Sequence, residues 1–187
     1  RPTYSTLILD GLAARYKGVV DNWIIWNEPD LYDYGSRWFF DGTFEDYYQM
    51  LKVAYQSIKA NNPRARVILA GMAYWYDKQF NRPPYMASLL EVAARDPTAR
   101  ANNWYFDVVA VHAYANPLNS FAEPMVMRRI LQAREISKPI WIMESNAVPG
   151  DDPKAPASPG SFRASQDEQA SYIIQSYALG IAAGVER

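Results

Sequence analysis

The 187-residue sequence predicts an α/β fold in which helices cover a parallel sheet. Short apolar runs recur at 23–28, 66–71, 106–112 and 139–144, each bounded by breakers in the way of strands buried on both faces. Stretches of 3.6-residue periodicity separate them. Strands that alternate with helices at this spacing imply parallel pairing. Two architectures satisfy the pattern, an open doubly wound sheet and a (β/α)8 barrel, and neither has a Gly-rich phosphate loop that would favour nucleotides.

Composition narrows the class. Apolar residues make up 49% and charged residues 21%, which suits a globular chain. Nineteen basic against twenty acidic residues give a formal charge of −1, so nothing electrostatic argues for nucleic acid or an anionic membrane as partner. No run approaches the roughly 18 apolar residues of a membrane span. The sequence has no cysteine and one histidine, so neither a disulfide nor a zinc site is expected, and no metal or cofactor is called for.

The elements follow in order. A first helix spans 5–16, with Ile8, Leu9, Leu12 and Tyr16 on one face and Lys17-Gly18 as its stop. The strand 23–28 runs through Trp23 and Trp26, read as core, into Asn27-Glu28-Pro29. Thr43 and Asp46 form a capping box that opens a helix in which Phe44, Tyr47, Tyr48, Leu51, Ala54, Tyr55 and Ile58 share a face. After the strand 66–71 comes a helix at 85–95 that turns Met86, Leu89, Leu90 and Ala93 inward. Asp107 stands at the start of the third strand in a structural role, and a helix over 124–136 leads to the fourth strand, where Trp141 belongs to the core. Residues 149–163, with four prolines, read as an ordered loop or lid. Ser165 and Glu168 cap the last helix, marked by Ala170, Ile173, Ile174, Tyr177 and Ile181.

Two of these strands end in a glutamate. Glu28 follows Trp23-Ile24-Ile25-Trp26-Asn27, and Glu144 follows Ile140-Trp141-Ile142-Met143. A carboxylate at the tip of a buried strand is costly unless it reaches a cleft, a partner or water. Two such tips suggest one shared site.

With Asn27-Glu28-Pro29, then His112-Ala113-Tyr114 and Glu144 at later strand ends, the sequence resembles a retaining glycoside hydrolase of clan A. Ile25-Trp26-Asn27-Glu28-Pro29-Asp30, Phe40-Asp41-Gly42-Thr43 and Ile68-Leu69-Ala70-Gly71 are most similar to family 39 and its relatives, with family 5 cellulase-like enzymes next. The resemblance implies the (β/α)8 barrel, with residues 1–187 covering helix 3 to helix 7, that is strands 4–7, of a single catalytic domain. Strands 1–3 and 8 have no counterpart. The remainder of the barrel is therefore expected as a required partner, and activity is expected to need it.

The resemblance also assigns roles. Glu28 becomes the general acid and then the base, and Glu144 the nucleophile, about 5–5.5 Å apart if the anomeric configuration is retained. Asn27 would bond the sugar 2-hydroxyl. His112 and Tyr114, two apart and so on one side of an extended strand, would line the sugar site, with the tyrosine steadying the nucleophile. Trp75, Trp38 and Tyr74, just past strand ends, would offer rings to the apolar faces of a sugar. Asn146 could reach substrate, though it ranks below these. The implied substrate is a β-linked oligosaccharide or polysaccharide, with extracellular or periplasmic work usual for such enzymes. The competing readings are a non-catalytic carbohydrate-binding or structural pseudo-hydrolase barrel and a lyase or isomerase on the same fold. The lyase or isomerase would bring a Lys base, metal ligands or a phosphate loop near strand ends.

Overall fold

Helices and strands alternate as the periodicity requires. The structure, a computed structural model, describes residues 4–32, 39–154 and 164–187, of which 4–6 through the backbone alone. It divides into two compact units, Arg1–Val109 and Ala110–Arg187.

The first unit holds α1 (Tyr4–Arg15), β1 (Asn22–Ile25), α2 (Phe44–Asn61), β2 (Arg66–Leu69), α3 (Tyr74–Gln79), α4 (Tyr85–Ala94) and a 3₁₀ segment, Arg100–Tyr105. β1 and β2 pair in parallel, from Asn22 opposite Arg66 to Ile25 opposite Leu69. On its other side β2 bridges Val108 in parallel, with Leu69 N–H donating to Val108 O at 2.9 Å. Asp107 is structural as expected: its carboxylate accepts from Val67 N at 2.8 Å and pairs with Lys59 at 2.8 Å.

Helix α2 pins this sheet. The Thr43–Asp46 capping box forms in both directions, and Glu45 and Asp46 complement the positive end of the helix. Tyr47, Tyr48, Leu51, Ala54 and Ile58 are buried. The fully buried Tyr47 hydroxyl donates to Ile25 O at 3.0 Å and accepts from Ala70 N at 2.9 Å, so one side chain ties the helix to both strands. In α4, Met86, Leu89, Leu90 and Ala93 are all buried, as the periodicity demands.

Three expectations need correction here. The first strand ends at Ile25, because Trp26 (φ 75°) and Glu28 (φ 43°) adopt left-handed backbone that cannot continue a ladder. Trp26 is 48% exposed and Trp23 half-buried; the Trp26 indole donates to Phe39 O at 2.8 Å, so its polar edge is satisfied outside the core. Ile24 is exposed as well, which makes β1 alternating and not covered on both faces.

The second unit contains β3 (Val109–Tyr114), α5 (Asn119–Gln132), β4 (Ile140–Asn146) and α6 (Gln166–Ala182). β3 and β4 are sheet neighbours, and Ala115 N–H donates to Asn146 O at 2.9 Å just beyond β3. Helix α5 starts five residues before Pro124, which was expected to open it; the proline lies inside the helix. Trp141 is buried as expected, its indole donating to Glu186 Oε2 at 3.1 Å.

The Ser165–Glu168 capping box of α6 forms as expected. The buried residues of this helix, however, are Tyr172, Ser176 and Gly180, while Ile173, Ile174, Tyr177 and Ile181 are at least half exposed. Gly180 permits a close approach, since a Cβ there would lie 3.3 Å from Ile142 Cδ1. Tyr172 and two small residues, not the isoleucines, form the buried face of this helix. Among the described residues no helix is long and apolar enough to cross a membrane.

Candidate functional site

In the second unit, the ends of β3 and β4 bring three predicted residues together. Glu144 is the fifth residue of β4 and its side chain is 40% exposed. The Tyr114 hydroxyl donates to Glu144 Oε2 at 2.7 Å, and His112 Nδ1 lies 3.4 Å from the same oxygen. His112 and Tyr114 reach it together because residues i and i+2 of a strand share a face. His112 is buried and Tyr114 partly so, which makes both rigid holders. Tyr114 is fixed in turn: its carbonyl accepts from Asn119 Nδ2 at 2.9 Å, and Ala115 (φ 67°) turns the chain off the strand.

A second layer supports β4. The Tyr172 hydroxyl donates to Ala113 O and lies 2.9 Å from Ser145 Oγ. Asn146 accepts from Gln169 Nε2 at 2.9 Å, so it anchors α6, a structural use. A groove of about 470 Å³ opens beside Glu144, lined by Met143, Tyr172, Tyr177 and Arg187 among others. Tyr172 was not singled out from the sequence, where it stands beside Ile173 and Ile174 with nothing to mark it as the buried one.

In the first unit, Asn27 and Glu28 form the turn after β1. Asn27 is exposed and Glu28 half-buried, with Glu28 N–H donating to Gly71 O at 3.1 Å and Glu28 O accepting from Leu31 N at 3.2 Å. A non-glycine residue in left-handed backbone costs on the order of 1–3 kcal/mol and persists where its surroundings over-determine it. Here they do. Arg82 Nη2 donates to Asp30 O at 2.8 Å and Nη1 to Tyr32 O, while Nη2 and Nε also grip Asp77 Oδ1 at 2.7 and 3.1 Å. Its guanidinium stacks 3.8 Å from the Tyr32 ring centre.

Asp30 is fully buried, and its carboxyl oxygens reach no good hydrogen-bond geometry. Burial, with Asp77 and then Glu28 adding like charge, pushes its pKa up to about 8, although the backbone amides of Asp30 and Ala73 oppose this. Asp77 is likewise raised by burial, against the opposing pull of Tyr85 N–H and Arg82. Neither Asp77 nor Arg82 was singled out from the sequence, because one sits in the short α3 and the other in the loop after it, and their spacing of five carries no periodic signal.

Of the predicted sugar-binding aromatics, Trp75 is 38% exposed on α3 and packs edge-on to Tyr76 at 5.2 Å, while Tyr74 is half-buried at the start of that helix. Trp38 and most of the proline-rich loop, residues 155–163, lie outside the described residues.

No protein-family model matches the chain, and no curated protein matches it by sequence. Solved structures do match. A glucosidase of Croceicoccus marinus aligns with a TM-score of 0.73 at 14% identity over 97% of this chain and 36% of its own. A family 39 glycoside hydrolase from the gut symbiont Bacteroides cellulosilyticus gives a TM-score of 0.59 at 16% identity, over 93% and 33%. A family 113 β-mannanase of Alicyclobacillus acidocaldarius gives 0.50 at 16% identity, over 98% and 47%. The chain thus spans about a third to a half of these three proteins. At these identities the likeness is one of fold, and what the chain shares is part of the fold of barrel glycosidases, in keeping with the resemblance to clan A.

Proposed function

We propose that this chain supplies both catalytic carboxylates of a retaining glycoside hydrolase acting on β-linked oligosaccharide or polysaccharide. The observation that carries the reading is the pair of contacts on Glu144 Oε2, from Tyr114 at 2.7 Å and His112 at 3.4 Å. Hydrogen bonds to a carboxylate fix its orientation, which a nucleophile needs. The fold shared with glycosidases supports it.

In the proposed reaction Glu144 Oε1 attacks the anomeric carbon, while Glu28 gives its proton to the glycosidic oxygen and the aglycone departs. Glu28, now a carboxylate, takes a proton from water. The resulting hydroxide attacks the same carbon and returns the bonding electrons to Glu144. Asn27 holds the 2-hydroxyl, an interaction that strengthens as positive charge develops on the sugar. Trp75, Tyr74 and Trp38 offer rings for sugar stacking. The two carboxylates act on one substrate as parts of a single (β/α)8 catalytic domain.

The test is covalent trapping in the complete protein with activated 2-deoxy-2-fluoro β-glycosides. A glycosyl adduct on the peptide containing Glu144, with proton NMR showing a product of retained configuration, is the expected result. Label on another carboxylate, or an inverted first product, would overturn the assignment.

A further inference from the structure

We propose that Arg82 is a positioning residue for Glu28, acting through the backbone of the turn that carries it. The inference rests on the reading of Glu28 as acid/base. Glu28 needs its carboxyl held to within a fraction of an ångström of the leaving oxygen, since a displacement of about 1 Å can cost on the order of 100-fold in rate. Yet Glu28 lies in the turn that follows β1, in left-handed backbone (φ 43°), and not within a strand ladder.

Arg82 holds the chain immediately beyond it. Arg82 bonds the carbonyls of Asp30 and Tyr32, two and four residues after Glu28, and lies flat over the Tyr32 ring. Asp77 locks the guanidinium from behind with one oxygen and accepts Tyr85 N–H at 2.8 Å with the other, so the clamp is bolted to the start of α4. Only 8% of the Arg82 side chain and 2% of the Asp77 side chain are exposed. A buried ion pair is a poor source of stability, because the desolvation of both charges offsets their attraction. The arrangement is better explained by geometry. A planar fork satisfies two carbonyls, a carboxylate and a ring face at once, which a lysine ammonium cannot do.

The test compares Arg82→Lys with the parent in the complete protein, using two substrates that share a sugar. One has an alkyl or sugar leaving group that requires protonation; the other, a 2,4-dinitrophenyl glycoside, departs without it. Arg82→Lys is expected to lower the first-step rate on the poor leaving group by about 10- to 100-fold and to leave the dinitrophenyl rate within about threefold. Asp77→Asn should shift the same ratio in the same direction, which keeps the proposal testable if Arg82→Lys folds poorly. An equal fall on both substrates means a structural role only and overturns the clamp. Glu28→Ala provides the reference. If it discriminates between leaving groups and Arg82→Lys does not, the clamp alone fails. If Glu28→Ala shows no discrimination, the reading of Glu28 fails and takes the clamp with it.

Discussion

The ends of β1 and β4 each present a glutamate, and they secure it by opposite means. At β4 the strand is still regular at Glu144, and side chains from the neighbouring strand hold the carboxylate itself. At β1 the strand has ended before Glu28, and the buried Arg82–Asp77 pair holds the backbone just beyond it through the carbonyls of Asp30 and Tyr32. A ladder supplies position without further outlay, so β4 needs only a tyrosine and a histidine to orient one oxygen. A turn supplies none, and a buried polar cluster must stand in for the missing ladder. The difference matches the proposed tasks. A nucleophile works as a fixed anion, whereas an acid/base residue exchanges a proton twice per cycle.

The largest effect should come from removing the front-held carboxylate. Glu144→Gln is expected to lower kcat on the order of 10³-fold or more with little change in thermal stability, because the site's partners can still bond an amide. Steady-state kinetics and a melting curve on one preparation separate the two effects.

The rear cluster should instead reveal itself in stability against pH. Asp30 titrates at 3.8 in the unfolded chain and about 8 when folded, so the folded state binds the extra proton between those values. Its contribution is therefore complete below about pH 4 and lost as pH rises through 8. Asp30→Asn should flatten that decline, recovering on the order of a few kcal/mol at pH 9, as read by urea unfolding at pH 5, 7 and 9. An unchanged slope would mean that Asp30 already ionises freely.

Tyr114→Phe sharpens the comparison at β4. A hydrogen bond to a charged acceptor contributes about 1.5–3 kcal/mol, so kcat should fall about 10- to 100-fold while the clamp-sensitive leaving-group ratio stays at its parent value. The smallest effect is expected at Thr43, whose capping box starts α2 in the same unit as Glu28. Thr43→Ala should cost about 1 kcal/mol of unfolding free energy and leave kcat unaltered.

Much of the architecture was legible before the fold. Both capping boxes, the buried faces of α2 and α4, and the strand-end positions of His112, Tyr114 and Glu144 follow from patterns repeated every two or 3.6 residues. Legibility failed where local pattern stops being informative. The run 23–28 is uniformly apolar, and no periodicity in it marks Ile25 as the last ladder residue. In α6 the large apolar residues Ile173, Ile174, Tyr177 and Ile181 suggest the inward face, yet they are exposed while Tyr172, Ser176 and Gly180 are buried, Gly180 close enough to β4 that a Cβ would lie 3.3 Å from Ile142 Cδ1.

What the sequence alone determined is the alternation of strands and helices and the helix caps, since these depend on residues within a few positions of one another. Tertiary structure decided the rest. The Tyr114 hydroxyl meets Glu144 across 30 residues of chain, and Arg82 meets Tyr32 across 50. Such contacts depend on where the backbone turns, and here it turns at Trp26, Glu28 and Ala115, three residues whose side chains carry no preference for a left-handed φ. Their conformations are imposed by the bonds around them, and a linear pattern holds no record of those bonds.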